Sequence, residues 1–192
     1  MNVDVDLYNR VISGSATHDL EVVAETNVLQ FDAWDITVTS VKEATTGSAK
    51  FMRSHGPDAA ASAEHLKNGE DLQFTVGTYN AIIGQTLIID LGRTVAVGEQ
   101  ISVTIEYSTS PTGHAFSWLN ADQTAGGKLP YVFTQCEDIN CRSLLPLQDS
   151  PANRITYSSQ ITGENAFVPK MSANETGTAQ FNTTHKTTSF DN

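Results

Sequence analysis

The stretch that decides the fold is Ile101-Ser102-Val103-Thr104-Ile105-Glu106-Tyr107, in which apolar and polar residues alternate strictly. Successive side chains of a β-strand point to opposite faces. The alternation therefore predicts a strand that packs its apolar face on a core and turns its polar face to water. Residues 35–39, which follow the large core candidate Trp34, and residues 86–91 show similar patterns. The inward positions of the second are Leu87, Ile89 and Leu91.

Strand-like runs also lie near both ends of the chain. Residues 3–23 hold two such runs around Asn9-Arg10, with Gly14 predicted to mark a bulge or a close backbone approach. Residues 154–161 and 179–190 are predicted late strands, and the second run is rich in threonine, which favours strands.

Helical signal is weak. Residues 59–67 can form two turns at most, because Gly-Pro precedes them and Asn-Gly follows. Residues 120–123 predict one capped turn. Short strands separated by turn residues indicate an all-β, mostly antiparallel sandwich or curved sheet with one or two short helical turns. No repeat or linker is evident, so residues 1–192 are predicted to form a single β domain.

Composition narrows the possible partners. The 192 residues include 11 Lys and Arg against 22 Asp and Glu, a formal net charge of −11. Nucleic acid and an anionic membrane surface are disfavoured because both need a basic face. No stretch reaches the roughly 20 apolar residues of a membrane span. The start of the chain lacks the basic and apolar blocks of a signal peptide, so we expect a cytoplasmic protein.

The two cysteines, Cys136 and Cys141, lie close together in the sequence. A bond between them would constrain little chain, so we expect free thiols in a reducing compartment. Zinc is the alternative, but it would need two more ligands, and His114 and His185 lie far outside the usual spacing.

Residues 130–151 break the strand pattern. A short apolar strand, 131–133, runs into a polar cluster, a possible single helical turn and a proline-bounded loop. Polar groups at the end of a strand are a common way to present a binding site on a rigid scaffold. The plainer interpretation is a surface ion pair between Glu137 and Arg142, worth less than about 1 kcal/mol.

Residues 130–151 also carry a specific resemblance. Thr134-Gln135-Cys136-Glu137, then Arg142, then Pro146-Leu147-Gln148-Asp149-Ser150-Pro151 resemble a segment of the zinc aminopeptidases. The Cys-x4-Cys-Arg spacing is similar to their leukotriene-A(4) hydrolase-like branch. Weaker likeness covers residues from about 4 to 190, including the run 117–126 and the first hairpin at 8–16.

The resemblance implies an open, saddle-like β domain that precedes a catalytic domain of the same parent chain. In that family a His-Glu-x-x-His helix and a downstream Glu bind one zinc ion. No two histidines of this chain are four residues apart, so no zinc and no catalytic residue are expected in it. Because the chain ends within a strand-like run, we expect the N-terminal domain of a larger enzyme.

The resemblance further implies that the Gln-x-Glu loop binds the free α-amino group of a peptide N-terminus. By position, Glu137 would anchor the amine and Gln135 would be its hydrogen-bonding neighbour. Members of the leukotriene-hydrolase branch often carry Gln in place of Glu137, so the carboxylate favours peptidase over epoxide hydrolase activity in the parent. Arg142 and Asp149 are expected to hold the shape of the loop.

Two other functions remain open. One is a stand-alone β-sandwich binding module without enzymatic activity, which a reading frame lacking a downstream His-Glu-x-x-His would favour. The other is a hydrolase that uses Glu137 and Asp138 as paired carboxylates. That pair is poorly placed, because adjacent residues on a strand point to opposite faces.

Overall fold

The computed structural model describes residues 1–43 and 69–192, so the turns predicted over 59–67 lie outside the described residues. Thirteen strands are described. They are β1 (Asn2–Asp6), β2 (Val11–Glu21), β3 (Thr26–Ala33), β4 (Ile36–Glu43), β5 (Glu70–Asp71), β6 (Gln73–Val76), β7 (Gln85–Val95), β8 (Gln100–Thr109), β9 (Phe116–Leu119), β10 (Tyr131–Thr134), β11 (Ser158–Glu164), β12 (Asn174–Gln180) and β13 (His185–Asp191). Two 3-10 turns, Ala121–Gln123 and Cys141–Ser143, complete the regular structure.

The strands form three open sheets. The largest has eight strands in the order β12-β13-β11-β1-β2-β8-β4-β5. A three-stranded sheet has the order β3-β7-β6, and β9 pairs with β10 in a two-stranded ribbon. β1 and β11 are parallel, whereas the other pairs are antiparallel. The all-β, mostly antiparallel prediction is confirmed.

The deciding stretch, 101–107, lies in β8 near the middle of the large sheet. Val103 and Ile105 point to one face and are fully buried, and Leu87 and Ile89 of β7 pack on them from the three-stranded sheet. This face-to-face contact forms the sandwich, as the alternation of both stretches predicts.

The opposite face of β8 differs from the prediction. Ser102 and Thr104 are only 6% and 8% exposed, although the pattern predicts that they meet water. β8 is a central strand between β2 and β4, and the hydroxyl of Thr104 lies 2.9 Å from that of its cross-strand partner Thr17. Neighbouring side chains therefore cover the polar face, whereas Glu106, nearer the end of the strand, is exposed.

The first hairpin forms as predicted, with β1 and β2 around Asn9-Arg10. Gly14 has a φ of +149°, and a Cβ added there would lie 2.1 Å from the carbonyl oxygen of Asn2. The predicted close approach is confirmed: at this point β2 lies too near the β1 backbone for any side chain.

The late strands are only partly as predicted. Residues 154–157 are irregular, and β11 begins at Ser158, where pairing with β13 starts. The run 179–190 is not one strand, since it contains the end of β12, a turn and β13. The side chain of Asn182 accepts the backbone N–H groups of Thr184 and His185, an arrangement that turns the chain into a hairpin.

The remaining half of the inner face lies under the ribbon and the loop that follows it. Core residues of β1, β2, β11 and β13 contact Phe116 and Trp118 of β9 and Leu144 and Leu145 of the loop. The core candidate Trp34 is also buried, at 5% exposure. The segment 130–151 therefore rests on the rigid core of the domain.

The capped turn predicted over 120–123 is confirmed. Asn120 and Gln123 form a capping box around the 3-10 turn Ala121–Gln123. In the part of the chain that the structure describes, no helix has the length and apolar character needed to cross a membrane.

Candidate substrate-binding site

The two-stranded ribbon ends at the surface of the fold, where Gln135 follows β10. β10 pairs antiparallel with β9 as far as Thr134, which lies opposite Phe116. Gln135 then donates its backbone N–H to the carbonyl of Ala115 at 2.9 Å. Ala115 in turn donates its own N–H to the buried hydroxyl of Ser143 at 2.7 Å. One residue of the fold thus holds both ends of the loop 135–143.

Glu137 has a fixed backbone and an exposed side chain. Its N–H donates to Oε1 of Gln135 at 3.2 Å, and its carbonyl accepts Nδ2 of Asn140 at 2.9 Å. Within residues 1–43 and 69–192, the Glu137 carboxylate has neither a hydrogen-bond partner nor an ion-pair partner. Both predicted site residues, Gln135 and Glu137, therefore lie together at the protein surface.

The expectation of free thiols is wrong. Cys136 and Cys141 form a disulfide, with their Cα atoms 4.5 Å apart. A bond between two cysteines this close in sequence constrains little chain, but its formation depends on geometry, and the turn brings the Cα atoms within disulfide range. The cysteines thus give no support to a reducing compartment.

The ion pair between Glu137 and Arg142 does not form. Arg142 is only 6% exposed. Its backbone N–H and Nε both donate to Oδ2 of Asp149, at 3.1 and 3.0 Å, and Nη2 donates to the Asp149 carbonyl at 3.1 Å. Its Nη1 donates to the carbonyl of Ile83 at 2.7 Å and lies 3.3 Å from Oδ1 of Asp32. Arg142 and Asp149 hold the shape of the loop, as predicted.

The same cluster ties the loop to the three-stranded sheet. Asp32 of β3 exchanges two backbone hydrogen bonds with Leu147, at 2.7 and 3.2 Å, and its side chain accepts the N–H of Asp149. Trp34 donates its backbone N–H to the carbonyl of Arg142 at 2.8 Å. Sequence reasoning missed Asp32, Asn140 and Ser143, because their roles depend on partners brought together only by the fold.

Two pairs of stacked or neighbouring aromatic rings lie on the elements that flank the loop in sequence or bond to it. Trp34 stacks on the exposed ring of His114 at 3.8 Å between centroids, and its Nε1 donates to the hydroxyl of Tyr79 at 3.3 Å. On β10, Tyr131 and Phe133 are 54% and 45% exposed with ring centroids 6.1 Å apart. Phe133 is thus not a core residue, although it lies in a short apolar strand.

The described ranges 1–43 and 69–192 contain no group of three or more His, Cys, Asp or Glu residues that could hold a metal ion. The donor set that a zinc site needs is therefore not present in them. What the loop offers chemically is an exposed carboxylate with fixed backbone and an amide next to it.

Two curated relatives match a large part of this chain in sequence. Leukotriene A-4 hydrolase of Xenopus laevis is 41% identical over 106 residues, which are 55% of this chain and 17% of that protein. Leucine aminopeptidase 2 of Yarrowia lipolytica is 30% identical over 177 residues, 90% of this chain and 23% of that protein. The chain thus spans about a fifth of the length of these curated relatives.

Solved structures share the fold over the whole chain. Native yeast leukotriene A4 hydrolase superposes with a TM-score of 0.73 at 23% identity, covering 100% of this chain and 25% of that one. The M1 zinc metallopeptidase of Deinococcus radiodurans gives 0.68 at 17% identity, covering 99% and 36%. At these identities the likeness concerns the fold alone.

The family assignment rests on a match that extends over the entire sequence. The model of the peptidase M1 N-terminal domain matches residues 1–192. This chain belongs to the peptidase M1 N-terminal domain family.

Proposed function

We propose that residues 1–192 are the N-terminal β domain of a leukotriene A-4 hydrolase-like zinc aminopeptidase, and that their Gln135-x-Glu137 loop binds the free α-amino group of the peptide substrate. The observation that carries the proposal is the Glu137 carboxylate, which is exposed and unpaired in the described structure while the backbone around it is fixed. The breaking of the peptide bond is assigned to the rest of the parent enzyme.

A fixed carboxylate suits a protonated amine. Charge-assisted hydrogen bonds are shorter and stronger than neutral ones. A carboxylate that is already held in place also loses less side-chain and loop freedom when it binds. Anchoring the amine would limit cleavage to the first peptide bond, because it sets the distance from the N-terminus to the reacting carbonyl.

Gln135 has a supporting role in the proposal. Its Oε1 accepts the N–H of Glu137 and so orients the loop, and its amide is exposed. In the proposal this amide would hydrogen-bond beside the first substrate residue. A carboxylate at position 137 attracts a cationic amine more strongly than it attracts a lipid epoxide. We therefore propose peptidase rather than epoxide hydrolase activity as the main activity of the parent.

The proposed partner is the catalytic domain of the same parent chain, which would also hold the one zinc ion. Two observations support this division of labour. The chain spans about a fifth of its curated relatives, and the described residues lack a metal-binding cluster. The metallopeptidase of the same fold from Deinococcus radiodurans is described as a zinc enzyme.

The experiment compares Glu137→Gln with Asp138→Asn in the full-length parent, using peptides with free and acetylated N-termini. Both variants remove one exposed carboxylate from the same loop, so the second is a matched control. A charge-assisted contact is worth about 1.5–3 kcal/mol, so Glu137→Gln should raise KM for free peptides roughly 10- to 150-fold. The value of kcat should change little if the contact stabilises ground and transition states equally.

Acetylated peptides should distinguish the site when they are used as competitive inhibitors. They carry no ammonium group, so neither substitution should change their inhibition constants. Equal KM values for the two variants would remove Glu137 from the amine site. A parent without zinc-dependent aminopeptidase activity, or a reading frame with no catalytic domain, would instead favour another role, such as a stand-alone binding module.

A further inference from the structure

Among residues 1–43 and 69–192, the hydrogen bonds and ion pairs that tie the Glu137 loop to the main fold lie on the two sides of the loop. On one side Gln135 bonds to Ala115, and on the other Arg142 is buried against Asp149 and Asp32. The segment between them, residues 136–141, contains an exposed Glu137 and an exposed Asp138.

Three links close this six-residue segment on itself. The Cys136–Cys141 disulfide joins its two ends. Asn140 supplies the others, donating its backbone N–H to the carbonyl of Cys136 at 2.8 Å and its side-chain amide to the carbonyl of Glu137 at 2.9 Å. Of the three, the disulfide is the covalent link, and it joins the residue after Gln135 directly to the residue before Arg142.

We propose that Cys136 and Cys141 are positioning residues for the amine site, and that their disulfide holds Glu137 in the orientation that binds an N-terminal ammonium group. This inference rests on the proposed function and concerns the regulation of that site. In the reduced state the segment keeps the two hydrogen bonds of Asn140 and the bond from the Glu137 N–H to Gln135 but loses its covalent link, so the carboxylate samples more orientations and binding weakens.

The bond can be reached by a reductant. Both cysteines are partly exposed. A dithiol breaks the S–S bond, transfers two electrons and two protons to give two cysteine thiols, and is itself oxidised to a cyclic disulfide. Re-oxidation by a disulfide of the same class restores the bond. The amine site would therefore respond to the thiol–disulfide balance around the protein, although neither sulfur touches the substrate.

The first arm of the test uses the 192-residue chain and needs no catalysis. Alkylation under non-reducing conditions followed by mass spectrometry should label neither cysteine. After dithiol treatment the same alkylation should label both cysteines. Hydrogen–deuterium exchange at the amides of Glu137 and Asn140 should accelerate about tenfold or more on reduction. The amides of Asp32 and Trp34, which bond to the anchored part of the loop, should keep their rates.

The second arm uses the full-length parent. Reduction should raise KM for free peptides about tenfold with little change in kcat, because displacing an oriented contact by about 1 Å is costly. The double variant Cys136→Ser with Cys141→Ser should have the KM of the reduced enzyme, and dithiol treatment should not change that KM. In the Glu137→Gln variant, dithiol treatment should not raise KM further, because the carboxylate that the disulfide positions is absent.

Free thiols in the untreated chain, or exchange rates that reduction does not alter, would overturn the inference. The inference would also be overturned if Glu137→Gln changes the KM of the parent but reduction of the disulfide does not. If Glu137→Gln leaves KM unchanged, the proposed function itself is wrong. The hydrogen–deuterium exchange rates then still show whether the disulfide holds the loop in place.

Discussion

Glu137 and Arg142 are charged residues of one loop, but their environments in the fold are opposite. Arg142 is buried, and its guanidinium and backbone N–H are satisfied by Asp149, Asp32 and the carbonyl of Ile83. Glu137 is exposed, and its carboxylate has no partner in the described residues. A buried charge with several partners holds structure in place, whereas an exposed carboxylate on a braced backbone is available to a ligand.

Replacing Arg142 should therefore destabilise the domain. Arg142→Met keeps much of the apolar stem but leaves the partly buried Asp149 without its cation, at a cost of about 3–5 kcal/mol in the free energy of unfolding. Arg93→Met is the control, because Arg93 pairs with Glu43 and Glu99 while 40% of its side chain is exposed, and should cost less than about 1 kcal/mol. Urea unfolding of both variants measures the difference, and similar midpoints would contradict the structural role.

A second prediction at this scale concerns His18. Its ring lies 4.7 Å from that of Phe31 in the core, and burial lowers its pKa to about 4. In the unfolded chain His18 has an ordinary pKa near 6.5. Between this pKa and that of the folded state, His18 is protonated in the unfolded chain but not in the folded one. Stability should therefore fall as the pH drops from about 6.5 to about 4, by up to about 3 kcal/mol from this residue.

The measurement is the free energy of unfolding in urea at several pH values. His18→Phe should flatten the decline, because the substituted ring does not titrate. His114→Phe should leave it intact, since His114 is exposed. A decline of the same size in all three proteins would assign the pH dependence to other groups.

Among the elements, the β1–β2 hairpin has a backbone spacing that requires a glycine at one position. Gly14 faces the β1 backbone so closely that an added Cβ would lie 2.1 Å from the Asn2 carbonyl oxygen and 2.8 Å from the Cα of Val3. β1 also pairs with β11, so a shift of β1 would disturb both of its neighbours.

Gly14→Ala should accordingly destabilise the domain by more than about 1 kcal/mol, since the backbone must move and the φ of +149° is strained for alanine. Gly177→Ala is the matched control, because nothing lies within 4 Å of a Cβ added in β12. It should be neutral or slightly stabilising. Thermal unfolding compares the two, and equal melting temperatures would contradict the close approach.

Elements differ in how far the sequence alone predicts them. Residues 86–91 and 101–107 form strands with the predicted inward faces, because alternation is a local property that pairing preserves. The burial of Ser102 and Thr104 is not local, since it follows from the central position of β8. The division of 179–190 into two strands depends on hydrogen bonds of a single side chain, that of Asn182.

The candidate site shows the same division. Gln135 and Glu137 could be found from the motif, and the structure places both at the surface. The partners of Arg142 could not, because Asp32 and Ile83 come from strands and turns distant in the sequence. The disulfide was missed because the separation of two cysteines along the chain does not reveal the turn that brings them together.

At the scale of the whole molecule, two layers cover one face of the large sheet. The three-stranded sheet packs on one half, and the ribbon with its loop packs on the other. The loop is joined to both layers, through Ala115 beside the ribbon and through Asp32 in β3. Both layers thus support the loop that carries Glu137, as the proposed contribution of this loop to a site shared with a catalytic domain requires.

The measurement that tests this account most directly is a crystal structure of the full-length parent with a non-hydrolysable peptide analogue that has a free N-terminus. The account predicts an oxygen of the Glu137 carboxylate about 2.7–2.9 Å from the amine nitrogen of the analogue, the usual length of a charge-assisted hydrogen bond. An amine held by other groups while Glu137 remains in solvent would contradict it.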